Sequence, residues 1–213
     1  MFITLGITIL PSLLIAAFII LSDKYREPPL QIIYAFSLGF VIIFPAGILN
    51  YYLIFSHENS KDLVFIAGFT EESIKFLTLL LFLRNRPAFD EPMDAIVYAT
   101  LLSLGFATLE NFDYVYFLNQ NYSSLSIAII RALTAIPLHA CCGIIMGYFF
   151  GLYFFKRSRI SFIASILLPI LVHSFYNYLT KSFYVYICII IVIIFAFALH
   201  NICAKSQKKY TYH

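Results

Sequence analysis

The sequence predicts an all-α fold, a polytopic bundle of about seven transmembrane helices, on three observations. The chain of 213 residues is 62% hydrophobic and only 12% charged, with a mean hydropathy of +0.88. A soluble domain carries about 25% charged residues, so no water-facing surface can be built from this composition. The apolar residues lie in long continuous runs, which a helix of about 20 residues needs to cross a hydrocarbon layer roughly 30 Å thick. Barrel strands would be nearer 10 residues with alternating polarity, and that pattern is absent from the sequence. Basic residues, finally, gather at the ends of alternate runs.

Taken in order, the expected spans are approximately 1–21, 31–55, 64–83, 94–118, 125–154, 161–179 and 183–203. The first lacks a basic leader and a small-residue cleavage site, so it reads as a retained span rather than a signal peptide. The fifth is long enough to tilt or kink, and Pro137 is the expected kink because proline removes a helix hydrogen bond. The loops after spans one, three and five and the C-terminal tail carry Lys24, Arg26, Arg84, Arg86, Lys156, Arg157, Arg159, Lys205, Lys208 and Lys209. The other side carries Lys61 and Lys181. Excess positive charge stays in the cytoplasm, so the N-terminus is expected outside and the C-terminus inside, in a cell membrane. The whole chain, 1–213, reads as a single integral membrane domain. A net charge of +3, with no basic patch, gives no reason to expect a nucleic-acid partner; the lipid bilayer is the expected surrounding. Cys141, Cys142, Cys188 and Cys203 have no metal or disulfide spacing and read as small apolar packing residues.

Ionisable groups inside apolar runs cost several kcal/mol each, so they mark a site or a pore by default. Span three carries Glu71, Glu72 and Lys75; span four Glu110 and Asn111; span five Arg131 and His139; span six His173 and Asn177. Counted from the outer end of each span, all fall in the same half of the membrane. Lys75 follows Glu71 by four residues and Glu72 by three, so its ammonium can face either carboxylate across one turn. His173 and Asn177 share a face, which lets the amide orient the imidazole or donate to an oxyanion. Gly105 and Ala107, just before Glu110, permit close approach of a neighbouring helix.

These are parts for amide hydrolysis. A carboxylate beside a cation can act as general base on water, and histidine or asparagine donors can stabilise an oxyanion. The same glutamates and histidines can instead hold a divalent metal such as zinc. No HExxH or G-x-S-x-G signature occurs. Structural alternatives stay open: a helix-locking ion pair at Glu71, Glu72 and Lys75, interhelical hydrogen bonds at Glu110 and Asn111, and an Arg131 that snorkels to headgroups.

At these residues the chain resembles the PrsW family of intramembrane proteases, related to the CAAX prenyl endopeptidase and bacteriocin-immunity group. Glu71-Glu72-Ser73-Ile74-Lys75 matches its E-E-x-x-K, and Gly105-Phe106-Ala107-Thr108-Leu109-Glu110-Asn111 its G-F-A-x-x-E-N. Arg131 and His139 follow, then His173-Ser174-Phe175-Tyr176-Asn177, and Asp94 also fits. The resemblance covers a protease-like core of about 64–180. It implies cleavage of a membrane-anchored protein substrate near the outer face, and a place in envelope-stress signalling. It implies Glu71 or Glu72 as base, His139 and His173 as partners, and Lys75, Glu110, Asn111, Arg131 and Asn177 as supporting groups. A metal, if required, would fall to Glu72, Glu110, His139 and His173. A proton-coupled transporter, or a non-catalytic immunity or scaffold protein, are the rival expectations.

Overall fold

The computed structural model describes residues 2–84, 86–118, 122–180 and 182–208. Lys181 and Lys209, both used above for orientation, lie outside the described residues. The regular elements are helical throughout: α1 (Phe2–Ser22), α2 (Pro29–Asn50), α3 (Ser60–Leu63), α4 (Ile66–Leu83), α5 (Pro92–Asp113), α6 (Ser124–Leu133), α7 (Ala135–Lys156), α8 (Arg159–Leu179) and α9 (Tyr184–Lys205). α2 and α5 each run on into a π-helical turn, Tyr51–Phe55 and Tyr114–Leu118.

Among the described residues, six helical stretches are long and apolar enough to cross a membrane: Phe2–Ser22, Pro29–Phe55, Pro92–Leu118, Ser124–Lys156, Arg159–Leu179 and Tyr184–Lys205. The remaining expected span, 64–83, is α4. Its 18 residues rise about 27 Å, close to the hydrocarbon thickness. It differs from the six by Glu71, Glu72 and Lys75, and all three are buried against neighbours while Phe69, Leu77 and Leu81 face outward. The helix therefore shows an apolar surface outside and keeps its charges inside, which suits a member of a membrane bundle.

α5 is the central helix, packed against α7, α2 and α1 and almost wholly buried. Small residues make this possible. Gly143, Gly147 and Gly151 recur at intervals of four along α7 and lie on the α5 backbone at Thr100, Ala95–Ile96 and Pro92. On the other side, a Cβ at Gly105 would sit 2.0 Å from the Phe36 carbonyl oxygen of α2. The close approach expected at Gly105 is present, with α2 as the neighbour. Large apolar side chains such as Phe2, Leu14, Phe44, Leu81, Ile160 and Ile194 are exposed around the outside, where lipid would cover them. The four cysteines are free and buried among apolar groups.

The long fifth run breaks at Thr134, which leaves helical geometry with φ −126° and ψ −68°. The break falls three residues before Pro137. Proline at 137 cannot donate to the carbonyl of Leu133 and collides with it, so the chain starts a new helix whose first turn tolerates the missing donor. Helix α7 thereby begins just ahead of His139 and aims it inward.

Candidate active site

One end of the bundle collects the ionisable side chains that the sequence scattered over four runs. Lys75 is fully buried, with its ammonium 2.7 Å from Glu72 Oε1 and 2.8 Å from His139 Nδ1. Glu72 Oε1 also accepts from His173 Nδ1 at 2.9 Å. Across the site His139 Nε2 lies 3.0 Å from Glu110 Oε2, which Arg131 Nη2 reaches at 2.5 Å. The two imidazole rings meet edge to face with centroids 4.9 Å apart.

Hydrogen-bond chemistry assigns the tautomers. An ammonium has donors only, so His139 accepts on Nδ1 and donates from Nε2 to Glu110. A carboxylate only accepts, so His173 donates from Nδ1 to Glu72 and keeps its lone pair on Nε2. That lone pair points toward Glu71, whose Oε2 lies 3.9 Å away. Glu71 Oε1 is held by the Asn50 amide at 3.2 Å, while Oε2 is buried without a hydrogen-bond partner.

The two adjacent glutamates thus have different surroundings. A cavity of about 930 Å³ opens beside the site and is lined by Glu71, Glu110, Arg131, His139 and His173, with Phe44, Ile48, Tyr51 and Tyr52 on its apolar wall. Glu72 and Lys75 stand behind this lining, tied to each other and to the histidines. The π-helical turns after α2 and α5 both border the cavity, where the looser winding turns Tyr51, Tyr52 and Tyr114 toward it.

The supporting residues take distinct places. Arg131 Nε donates to Asn111 Oδ1 at 2.9 Å and its guanidinium covers the Tyr114 ring at 4.0 Å. Asn111 in turn donates to the Thr8 carbonyl of α1 at 2.8 Å. Arg131 therefore locks Glu110 and Asn111 in the bundle instead of reaching out to headgroups. Asn177 lines the cavity, but its amide donates to the Val64 carbonyl at 3.3 Å, and His173 is oriented by Glu72 instead. Asp94 lies at the far end of α5, sixteen residues before Glu110 and about 24 Å away along the axis.

Asn50 and Thr70 were not anticipated. The Thr70 hydroxyl donates to Asn50 Oδ1, which leaves the Asn50 amide to hold Glu71. The sequence signal was a lone asparagine in the second apolar run, but its partner on α4 is fixed only by packing.

Metal-ligand chemistry fits a neighbouring subset. Glu71, His139 and His173 each offer a donor atom, all within 4.8 Å of one another. Three ligands on zinc at roughly 2.1 Å stand about 4 Å or less apart, so small side-chain movements would close the set. In this group Glu71 is the carboxylate; Glu72, expected among the ligands, is committed to Lys75 and His173 Nδ1. Glu110, also expected there, is committed to Arg131 and His139.

The sequence model of the PrsW family intramembrane metalloproteases matches residues 27–200. A protease PrsW of Clostridioides difficile is 33% identical over 97% of this chain and 91% of its own length. Those of Oceanobacillus iheyensis and Bacillus subtilis are 35% and 32% identical, covering 82% and 85% of this chain and 81% and 84% of theirs. No solved structure matches the chain. By sequence match over most of its length, the chain belongs to the PrsW family of intramembrane proteases.

Proposed function

We propose that the chain cuts a peptide bond of a membrane-anchored protein in the cavity beside α4, with Glu71 as the decisive carboxylate. The observation that carries this reading is the buried, unpartnered Glu71 Oε2, facing the cavity 3.9 Å from the lone pair of His173. A carboxylate oxygen without a donor in a closed site is ready to take a proton from water. Glu72 and Lys75 hold His173 and His139 in place from behind. His139 Nε2–H and Arg131 both donate to Glu110 and neutralise it, and Arg131 is the basic side chain on the cavity wall that could face a developing oxyanion.

A second reading rests on the donor set. Glu71, His139 and His173 would hold a zinc ion, which when bound supplies Lewis acidity toward a carbonyl and an acidified water. To serve as such a ligand His139 would give up one of its two present contacts, with Lys75 or with Glu110, while Arg131 would stay paired with Glu110.

The protease-like core of about 64–180 holds the charged and imidazole groups of the site, and Asn50 of α2 extends it. The loops at the opposite end carry Lys24, Arg26, Arg84, Arg86, Lys156, Arg157 and Arg159, against Lys61 among the described residues at the site end. This bias favours a cavity on the outer face of the cell membrane with the C-terminus in the cytoplasm. The proposal extends to a role in envelope-stress signalling, which the family resemblance supports. In liposomes holding a single-span reporter with an outer juxtamembrane segment, the parent chain releases that segment and Glu71→Gln leaves it intact. Equal release by both would remove Glu71 from the chemistry.

A further inference from the structure

A second group of carboxylates is buried at the other end of the bundle. Asp23 and Glu27 lie between α1 and α2, Glu91 precedes α5, and Asp94 stands in its first turn; their exposures are 4, 6, 0 and 0%. One oxygen each from Asp23, Glu91 and Asp94 lies within 4.8 Å of the other two.

Charge compensation separates Asp23, Glu27 and Asp94 from the acids of the active site. There, Glu72 and Glu110 come with Lys75 and Arg131. Here, among the described residues, no lysine or arginine forms an ion pair with Asp23, Glu27 or Asp94. Asp94 Oδ2 accepts the Asp90 and Glu91 amides, both at 2.8 Å, and caps α5. Asp23 Oδ1 accepts from the Tyr25 amide at 2.9 Å and from Gln207 Nε2 at 3.2 Å. The second oxygens, Asp94 Oδ1 and Asp23 Oδ2, are buried and accept nothing. Two carboxylates with idle oxygens in one dry place, beside two further buried acids, call for a neutralising cation or shared protons.

We propose that Asp23, Glu91 and Asp94 form a binding site for a divalent cation of the hard, oxygen-seeking class, such as Ca²⁺, Mn²⁺ or Mg²⁺. The donors are all oxygen, with no imidazole or thiolate to recruit zinc. Two oxygens on a calcium at roughly 2.4 Å stand at most about 4.8 Å apart, so the observed spacing needs little adjustment. The ion would fasten the α1–α2 segment to the N-terminus of α5, and through Gln207 the C-terminal segment as well. Glu27 hydrogen-bonds Tyr98 one turn further along α5 and abuts Asp94, closing the group from the side.

The rival is a proton shared between Glu27 and Asp94. The test uses the full chain in detergent, stripped by chelator and carrying His173→Ala so that the active-site donors no longer compete. Titration with Mn²⁺ alone, read by electron paramagnetic resonance, is expected to give one bound ion per chain. Thermal unfolding should rise by about 5 °C at a hundredfold excess over Kd. Asp23→Asn, which leaves the capping Asp94 untouched, and Asp94→Asn should each weaken Mn²⁺ binding at least tenfold. Absence of a bound ion, or one indifferent to both substitutions, overturns the proposal. Glu27→Gln that stabilises the metal-free chain would then identify the shared proton.

Discussion

The Lys75 ammonium of α4 lies 2.8 Å from Nδ1 of His139 on α7 and is fully buried. A cation in that position denies His139 a proton on Nδ1 and fixes the other nitrogen as donor toward Glu110. It also neutralises Glu72, and so couples both histidines to one ion pair.

Removing that ammonium should damage stability before it damages chemistry. Lys75→Met leaves Glu72 as an unpaired charge at 0% exposure, which costs about 3–5 kcal/mol. The double variant Lys75→Met with Glu72→Gln should recover much of the loss, because neither charge remains. Thermal unfolding of the four members of this cycle gives the coupling directly. A coupling near zero would mean that the pair is not formed in the protein.

The adjacent glutamates should respond differently to the same change. Glu71→Gln keeps the Asn50 contact on one side-chain oxygen and deletes a buried charge with an idle oxygen. Its expected outcome is a melting temperature at or above that of the parent and activity lower by about a hundredfold or more. Glu72→Gln breaks the bonds to Lys75 and His173, so it should lose stability and activity together. Should Glu72→Gln alone abolish cleavage in a well-folded chain, the roles of the two are reversed.

Much of this arrangement could be read before folding, for a physical reason. A charge in an apolar run has few excuses, so Glu71, Glu72, Lys75, Glu110, Arg131, His139 and His173 announced themselves one by one. Periodicity within one helix also put Lys75 within reach of either glutamate, and the fold selects Glu72. What could not be read was anything set by the rotation of one helix against another. Asn50 reaches Glu71 only because α2 packs on α4, and Asn177 turns to Val64 instead of His173 by the local register of α8. The gathering of Asp23, Glu91 and Asp94 was likewise invisible, since acids at or beside loop ends look solvated until packing buries them.

Asn50 offers a test of positioning alone. Asn50→Leu removes the donor to Glu71 Oε1 and leaves the histidines untouched. The expected effect is a fall of about tenfold in kcat with KM little changed, since the lost bond orients a reacting group without touching substrate. Asn50→Asp should be worse, as it places a second carboxylate beside Glu71. A KM effect with unchanged kcat would make Asn50 a substrate contact instead.

The α2–α5 contact should be intolerant of one methyl group. Gly105→Ala drives a Cβ to 2.0 Å from the Phe36 carbonyl oxygen, backbone against backbone, so the helices must part. Overpacking of this kind costs about 1–3 kcal/mol. Gly47→Ala on the same pair of elements is the control, because nothing lies within 4 Å of its added carbon and helix propensity favours alanine. Equal melting temperatures for the two variants would show that α2 and α5 are not packed this closely.

Metal removal decides how Glu71 works. On the second reading, in which Glu71, His139 and His173 hold a metal, purified protein carries about one zinc per chain and loses cleavage under strong chelation. Activity should return on adding zinc back, and His173→Ala should lower both zinc content and activity. Glu71→Gln should lower zinc content too, because an amide is a poorer ligand than a carboxylate. A contrary result has one clear meaning. If stripped protein cleaves at the parental rate while Glu71→Gln remains inactive, the carboxylate acts on water directly, and the imidazoles serve as its hydrogen-bond partners rather than as ligands.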